Sequence, residues 1–328
     1  MNLLFITSKK ADYLQDIVFT GLWQLLDGAF YTFPWNYKLH LGVRRYPKNL
    51  GYVAGSFWKS LKRTPFKRID VAVVASTTKD CFESYLAIAD RLPPRCLRVM
   101  IDGGDNQEIG GDFARRGQEN LFAVADRTYP FDIIFKREMI VDTAYPERVH
   151  PLPFGFPMTR LRHLRFDRTP AYDVAFWASE SHEDRIAVFD AIRDRFDCAA
   201  NGSVRGIGHR NFTRTGDHYL RELARCRISL CIRGGGWDTL RYWEIPAIGG
   251  FMITQPPRIR IPDNFVHGEH VIFCKDDLSD IVGLCEEYLA KERERAAIAE
   301  RGHQHLRAYH TAAARAAYVV KTIRAVRG

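Results

Sequence analysis

The sequence predicts an α/β fold built as two doubly wound, parallel-sheet lobes facing a central cleft. Three observations carry that expectation. The chain has 328 residues, and at roughly 100–200 residues per domain that is material for two. Short apolar runs alternate with stripes at helical spacing in both halves, which argues for parallel sheets covered on both faces. A proline-rich stretch, His150-Pro-Leu-Pro-Phe-Gly-Phe-Pro157, interrupts that alternation and favours an extended connection.

In the first half the candidate strands are Leu3–Thr7, Ile69–Ser76, Leu97–Ile101, Ile133–Phe135 and Val149–Pro153. Leu14, Ile17, Val18, Gly21, Leu22 and Leu25 form one helical stripe, with Asp12 placed to cap its N-terminus. The alternation restarts with a strand at Tyr172–Trp177 and a helix from Glu183 to Phe196. A Gly/Arg-rich loop at 201–216 and a helix from His218 to Arg225 lead into a strand at Ile228–Ile232. A helix from Asp238 to Ile248 and a strand at Phe251–Thr254 follow, and the chain from Leu278 onward reads as helical. The expected domains are 1–155, 156–310, and a C-terminal helix 311–328 packing back on the first domain.

Composition excludes several classes. Hydrophobic residues make up 46% and charged residues 27%, which is a globular balance, unlike that of a disordered or collagenous chain. No run approaches the ~20 apolar residues of a spanning helix. The N-terminus shows no secretory leader, and the seven cysteines are odd in number and lack CxxC spacing. These features lead us to expect reduced thiols and a cytoplasmic protein.

The formal charge of +9 is concentrated. No acid occurs between Asp27 and Asp70, whereas Lys38, Arg44, Arg45, Lys48, Lys59, Lys62, Arg63, Lys67 and Arg68 all do. Aromatic residues are interleaved with them, among them Trp35, Tyr37, Phe57 and Trp58. Two readings stand: a solvated basic face over core aromatics, or a surface for an anionic membrane on its cytoplasmic side. Nucleic acid is the less favoured partner, because no helix-turn-helix, zinc-finger or RRM-type signature is present.

The most informative run is Arg233-Gly234-Gly235-Gly236-Trp237-Asp238-Thr239-Leu240-Arg241-Tyr242-Trp243-Glu244, read as strand end, glycine turn and helix start. Glycines let the backbone approach a ligand, and a helix N-terminus offers N–H groups to phosphate. Arg233 and Arg241 could add charge-assisted bonds to a diphosphate, and Glu244 could accept both hydroxyls of a ribose. The plainer alternative is a tight turn with an Arg241–Glu244 surface pair. The run is neither a Walker A loop nor a dinucleotide fingerprint.

On these residues the stretch Tyr172–Thr311 resembles the nucleotide-sugar half of GT-B glycosyltransferases, most of all the spore-maturation-protein (CgeB-like) group. The likeness rests on the Asp173-Val-Ala-Phe-Trp177 strand followed by Arg185, on the 233–244 run, and on Gly249-Gly-Phe-Met-Ile-Thr254. Asn264-Phe265, Gly268-Glu269-His270-Val271 and His310-Thr311 complete it. The resemblance implies two Rossmann-like domains. It also makes Arg185 and residues 233–241 ligands of the diphosphate, and Glu244 the ligand of the ribose. Many retaining members carry a second glutamate eight residues before this one. Gly236 stands there, so a retaining mechanism is not implied.

The expected activity is transfer of a sugar from a nucleotide-diphosphate donor to a glycan, lipid or protein acceptor. No Asp-x-Asp triplet occurs, so no metal or other cofactor is expected. His303 and His305 fall on different helix faces, and neither they nor His310 is expected to bind metal. Candidate bases are Asp102 and Asp105 after the Leu97–Ile101 strand, and Asp16 after the first strand. The alternatives are Asx caps for the first two and helix-surface solvation for Asp16. Lys136, Arg137 and Glu138 could steer donor phosphates or cap the sheet. Rival functions are a DNA-modifying glycosyltransferase, a nucleotide-sugar epimerase and a non-catalytic binding protein.

Overall fold

A computed structural model describes residues 1–26, 29–206 and 216–327 of the chain. Most of the expected 201–216 loop lies outside the described residues. The chain forms two compact units. The first comprises Met1–Pro157 together with Ile259–Pro262 and the helix Ala312–Arg327; the second comprises Met158–Arg258 and Asp263–Thr311. The short return at Ile259–Pro262 has no counterpart in the sequence reading.

The first unit holds six parallel strands: β1 (Leu3–Ile6), β2 (Phe30–Phe33), β3 (Val71–Val74), β4 (Leu97–Asp102), β5 (Ile133–Lys136) and β6 (Val149–Pro151). Their order is β2-β1-β3-β4-β5-β6, so the winding reverses between β1 and β3. Every residue of β1, β3 and β5 is buried, as uninterrupted apolar strands require when helices cover both faces. β2 was not foreseen, because its Phe-Tyr-Thr-Phe sequence merges with the aromatics of the basic segment.

The helix Tyr13–Leu25 begins where the sequence places it, with Asp12 accepting from the Gln15 N–H at 3.0 Å. Helix Ala312–Arg327 lies against it. A Cβ on Gly21 would stand 2.7 Å from the Cβ of Ala316, so a glycine is required at that contact.

The second unit holds β7 (Tyr172–Ala175), β8 (Cys226–Cys231), β9 (Met252–Thr254) and β10 (Ile272–Phe273), all parallel, in the order β10-β9-β8-β7. The expected reversal of strand order is therefore present in the first sheet and not among the described strands of the second. One face buries Val188, Phe189 and Ile192 of the helix Glu183–Ile192, with Ile281 and Cys285 of the helix Ile281–Ala290. The helix after β7 stops at Ile192 instead of Phe196, and the C-terminal region divides into Ile281–Ala290, Glu292–Tyr309 and Ala312–Arg327.

All seven cysteines are buried, and none forms a disulfide among the described residues. Among the described residues no helix is long and apolar enough to cross a membrane.

Candidate donor and acceptor sites

In the second unit the 233–244 run leaves the carboxyl end of β8, the end at which parallel sheets bind ligands. Helix Leu240–Ala247 starts two residues later than Asp238, where the sequence placed it. The glycine turn therefore precedes the helix as a separate loop. Within it the Gly234 N–H donates to the Gly236 carbonyl at 3.0 Å, while Gly235 is exposed.

The three arginines divide their work. Arg185 is buried, and its Nε donates to the carbonyls of Ile232 (3.2 Å) and Arg233 (2.8 Å). Its Nη1 reaches the Ser179 carbonyl and the Ser181 Oγ, both at 3.1 Å. Burial, and then the like charge of Arg241, bring its pKa down to about 10. A Cβ at Gly234 would stand 2.9 Å from Arg185 Nη2, so this glycine makes room for the guanidinium. The resemblance made Arg185 a diphosphate ligand; in this structure it donates to the end of β8 and to Ser179 and Ser181.

Arg241 donates to the Trp177 carbonyl. Burial alone would lower its pKa, but the neighbouring Tyr219, Cys231 and Glu244 raise it on balance. Arg233 is half-buried. Its guanidinium lies over the Trp237 ring with Cζ 4.1 Å from the centroid, and its Nε has no hydrogen-bond partner among the described residues. Its backbone N–H donates to Gln255 Oε1 at 3.1 Å, and Gln255 Nε2 donates to Asp184 Oδ2 at 2.9 Å.

Glu244 is buried, and its Oε2 accepts from the Tyr219 hydroxyl at 2.9 Å. Asp238 is buried too and accepts from the Trp243 indole N–H at 2.7 Å. Trp243 is fully buried beside His310 (ring centroids 4.9 Å apart) and Phe265 (6.0 Å), so Asp238 anchors a core side chain. Thr239 precedes the helix in extended backbone, its Oγ1 3.3 Å from Cys231 Sγ. Tyr219 and Gln255 escaped the sequence reading because their partners lie 25 and 22 residues away in the chain, and no motif links them.

The first unit has its own candidate cluster at the β1/β3 reversal. Asp16 is buried, and its pKa is raised to about 7 by burial and then by the charge of Asp12. Asp12 is raised as well, by burial, against a 2.6 Å hydrogen bond from Ser76 Oγ. A Cβ on Gly51 would come within 2.9 Å of the Asp16 carboxyl, and the Gly51 backbone is among the groups that favour its charged form. Helix-surface solvation, the alternative for Asp16, does not fit a buried side chain. Asp12 was read only as a cap, although a spacing of four residues already puts it on the face of Asp16.

Asp102 is buried and pairs with the fully buried Lys136 at 3.1 Å. It also accepts from the N–H groups of Gly110 (2.9 Å) and Gly104 (3.3 Å). A carboxylate committed in this way braces the loop after β4. Asp105 is more exposed and pairs with Arg137, and with Arg115 at 3.6 Å. Arg137 lies over the Phe154 ring at 4.5 Å and 3.4 Å from Glu138.

Among the described residues no group of three or more His, Cys, Asp and Glu is placed to hold a metal. His303 Nδ1 lies 2.8 Å from the Pro246 carbonyl, and the Nε2 atoms of His305 and His310 lie 2.6 and 2.7 Å from that of Asp263.

Residues 173–321 match the family described as Glycosyl transferase-like. No curated protein matches the chain. Similar solved structures include an alpha-glucosyltransferase in complex with UDP and a 13-mer DNA containing a central A:G mismatch, at 9% identity and a TM-score of 0.59, covering 98% of each chain. Anabaena Alr3699/HepE in complex with UDP and glucose follows at 10% identity and a TM-score of 0.57, covering 99% of each chain. A glycosyltransferase from Rickettsia africae is 7% identical with a TM-score of 0.57, covering 99% of this chain and 98% of that one. The chain thus has the α/β, parallel-sheet fold of GT-B glycosyltransferase structures across nearly its full length.

Proposed function

We propose that this chain is a glycosyltransferase whose second unit binds a nucleotide-diphosphate sugar and whose first unit receives the acceptor. The glycosyl transferase-like match over residues 173–321 covers the donor half, and the Arg233–Glu244 run is the feature that suggests the CgeB-like group within it. The observation that carries the reading is the pairing of Arg233 and Glu244 around one glycine turn. A half-buried guanidinium whose Nε lacks a hydrogen-bond partner among the described residues suits a diphosphate, and a buried carboxylate in the helix that follows suits a ribose. Similar structures hold UDP and UDP-glucose, which makes a UDP-sugar the first donor to test.

In this reading Asp16 is the base. A carboxyl with its pKa raised to about 7 can take a proton near neutrality and still deliver useful driving force. The acceptor hydroxyl loses its proton to Asp16, its oxygen bonds to the anomeric carbon, and the bond to the diphosphate breaks. The nucleoside diphosphate leaves with the negative charge, which Arg233, Arg241 and the glycine-turn amides meet without a metal ion. Such a displacement inverts the anomeric centre. The acceptor is a glycan, a lipid or a protein, reached by a cytoplasmic enzyme.

Thermal-shift titration with UDP-, GDP-, ADP-, dTDP- and CMP-sugars tests the donor half, because a ligand of the native state raises its melting temperature. A shift with one nucleotide that disappears in Glu244→Ala is expected. No shift with any of them overturns the reading.

A further inference from the structure

The crossover from β2 to β3, residues 34–70, is pinned on its inner side and undressed on its outer side. Phe57 meets the Trp35 ring edge-on with centroids 6.2 Å apart, and the Trp35 indole N–H donates to Ser60 Oγ at 2.9 Å. His40 Nδ1 lies 2.8 Å from Ser56 Oγ, and Phe66 sits 5.6 Å from Phe33 at the end of β2. Leu39 and Leu50 are fully buried. Outward, by contrast, Trp58 is 80% exposed, Leu61 54% and Val43 64%. Lys59, Lys62, Arg63, Lys67 and Arg68 are exposed around them, and no acid stands anywhere between Asp27 and Asp70.

A solvated basic face accounts for the lysines and arginines but not for a nearly bare tryptophan and leucine among them. Exposing both costs hydrophobic free energy in water. An anionic bilayer resolves the conflict: the bases gain from its surface potential while Trp58 and Leu61 enter the headgroup region. A phosphate track along duplex DNA would use the bases alone and leave the apolar tips in water. We propose that this crossover, with Trp58 and Leu61 as its inserting tips, is a docking surface for anionic phospholipid membranes.

The same crossover supplies Gly51, which lies against the Asp16 carboxyl, and it leaves the sheet at the end of β2 beside β1. A docked crossover therefore holds the unit that carries the proposed base against a membrane surface. This deepens the proposed function by favouring an acceptor carried on a lipid, and it rests on that reading only for the identity of the acceptor.

Co-sedimentation of the full chain with phosphatidylcholine vesicles, with and without phosphatidylglycerol, tests the proposal. Pelleting should require the anionic lipid and fall with added salt. Lys62→Ala should weaken partitioning about fivefold, the equivalent of ~1 kcal/mol per base. Tryptophan emission should shift to the blue on anionic vesicles in the wild type, and Trp58→Phe should lose that shift. Both side chains are exposed, so an unchanged melting temperature verifies the fold of each variant. Equal pelleting with and without phosphatidylglycerol, no pelleting, or retention on duplex DNA but not on vesicles overturns it. Donor thermal shifts measured on the same preparations separate the two proposals: a protein stabilised by a UDP-sugar yet indifferent to vesicles loses only this one.

Discussion

The Tyr219 hydroxyl donates to Glu244 Oε2 at 2.9 Å, so the carboxylate assigned to the ribose already holds one donor before any ligand arrives. Glu244→Ala removes both this bond and the proposed ribose contact. Nucleotide affinity should fall by about 1.5–3 kcal/mol, the usual worth of a hydrogen bond to a charged group, as read by calorimetry. Tyr219→Phe should leave the carboxylate in place and weaken affinity by much less.

Asp16 ties stability to pH. Its carboxyl has a folded pKa of about 7 against an ordinary 3.8, so the native state binds the proton more tightly than the unfolded one. The stabilisation is complete below pH 3.8 and is lost as pH rises toward 7. Asp16→Asn should therefore unfold at higher urea than the wild type at pH 8, by roughly 2–4 kcal/mol. Transferase turnover should fall by about 10²–10⁴ in the same variant, the contribution typical of a general base. A stabilised variant with full activity would remove Asp16 from the chemistry.

The Lys136–Asp102 pair separates structural from chemical carboxylates. Lys136 is fully buried, and leaving it without its partner should cost about 3–5 kcal/mol in denaturant unfolding of Asp102→Asn. Turnover per folded molecule should remain close to that of the wild type.

Gly234 and Arg185 form a steric pair. In Gly234→Ala the new methyl would sit 2.9 Å from Arg185 Nη2, forcing the guanidinium off the Ile232 and Arg233 carbonyls. A loss of about 1–3 kcal/mol in stability is expected from overpacking, with weakened nucleotide binding alongside. Arg185→Lys should not restore the fork of bonds, because one ammonium cannot reach carbonyls and hydroxyls on several sides at once.

What could be read from the chain follows from where the information is local. Strands such as Val71–Val74 and the cap at Asp12 were legible, because burial on both faces and a capping carboxylate leave signatures within a few residues. The Arg233–Glu244 run was legible as a turn and helix for the same reason. The division of labour among Arg185, Arg233 and Arg241 was not, since it depends on carbonyls of Ile232 and Trp177 presented by separate segments. The surroundings of Asp102 and Asp16 were hidden on similar grounds. Lys136 reaches Asp102 from the neighbouring strand, which no spacing foretells, whereas Asp12 stands at helical spacing from Asp16 and only the burial that raises the Asp16 pKa was hidden.

The helix Ala312–Arg327 seals against Gly21 on the first helix of the chain. Synthesis runs from the N-terminus, so the earliest-made unit waits for the last-made segment. The second unit can close while the first still lacks the helix that meets Gly21, leaving that side of helix Tyr13–Leu25 uncovered at the ribosome exit. Early termination near Thr311 would thus injure the opposite end of the polypeptide, and a nascent-chain binder such as a chaperone would find its target there.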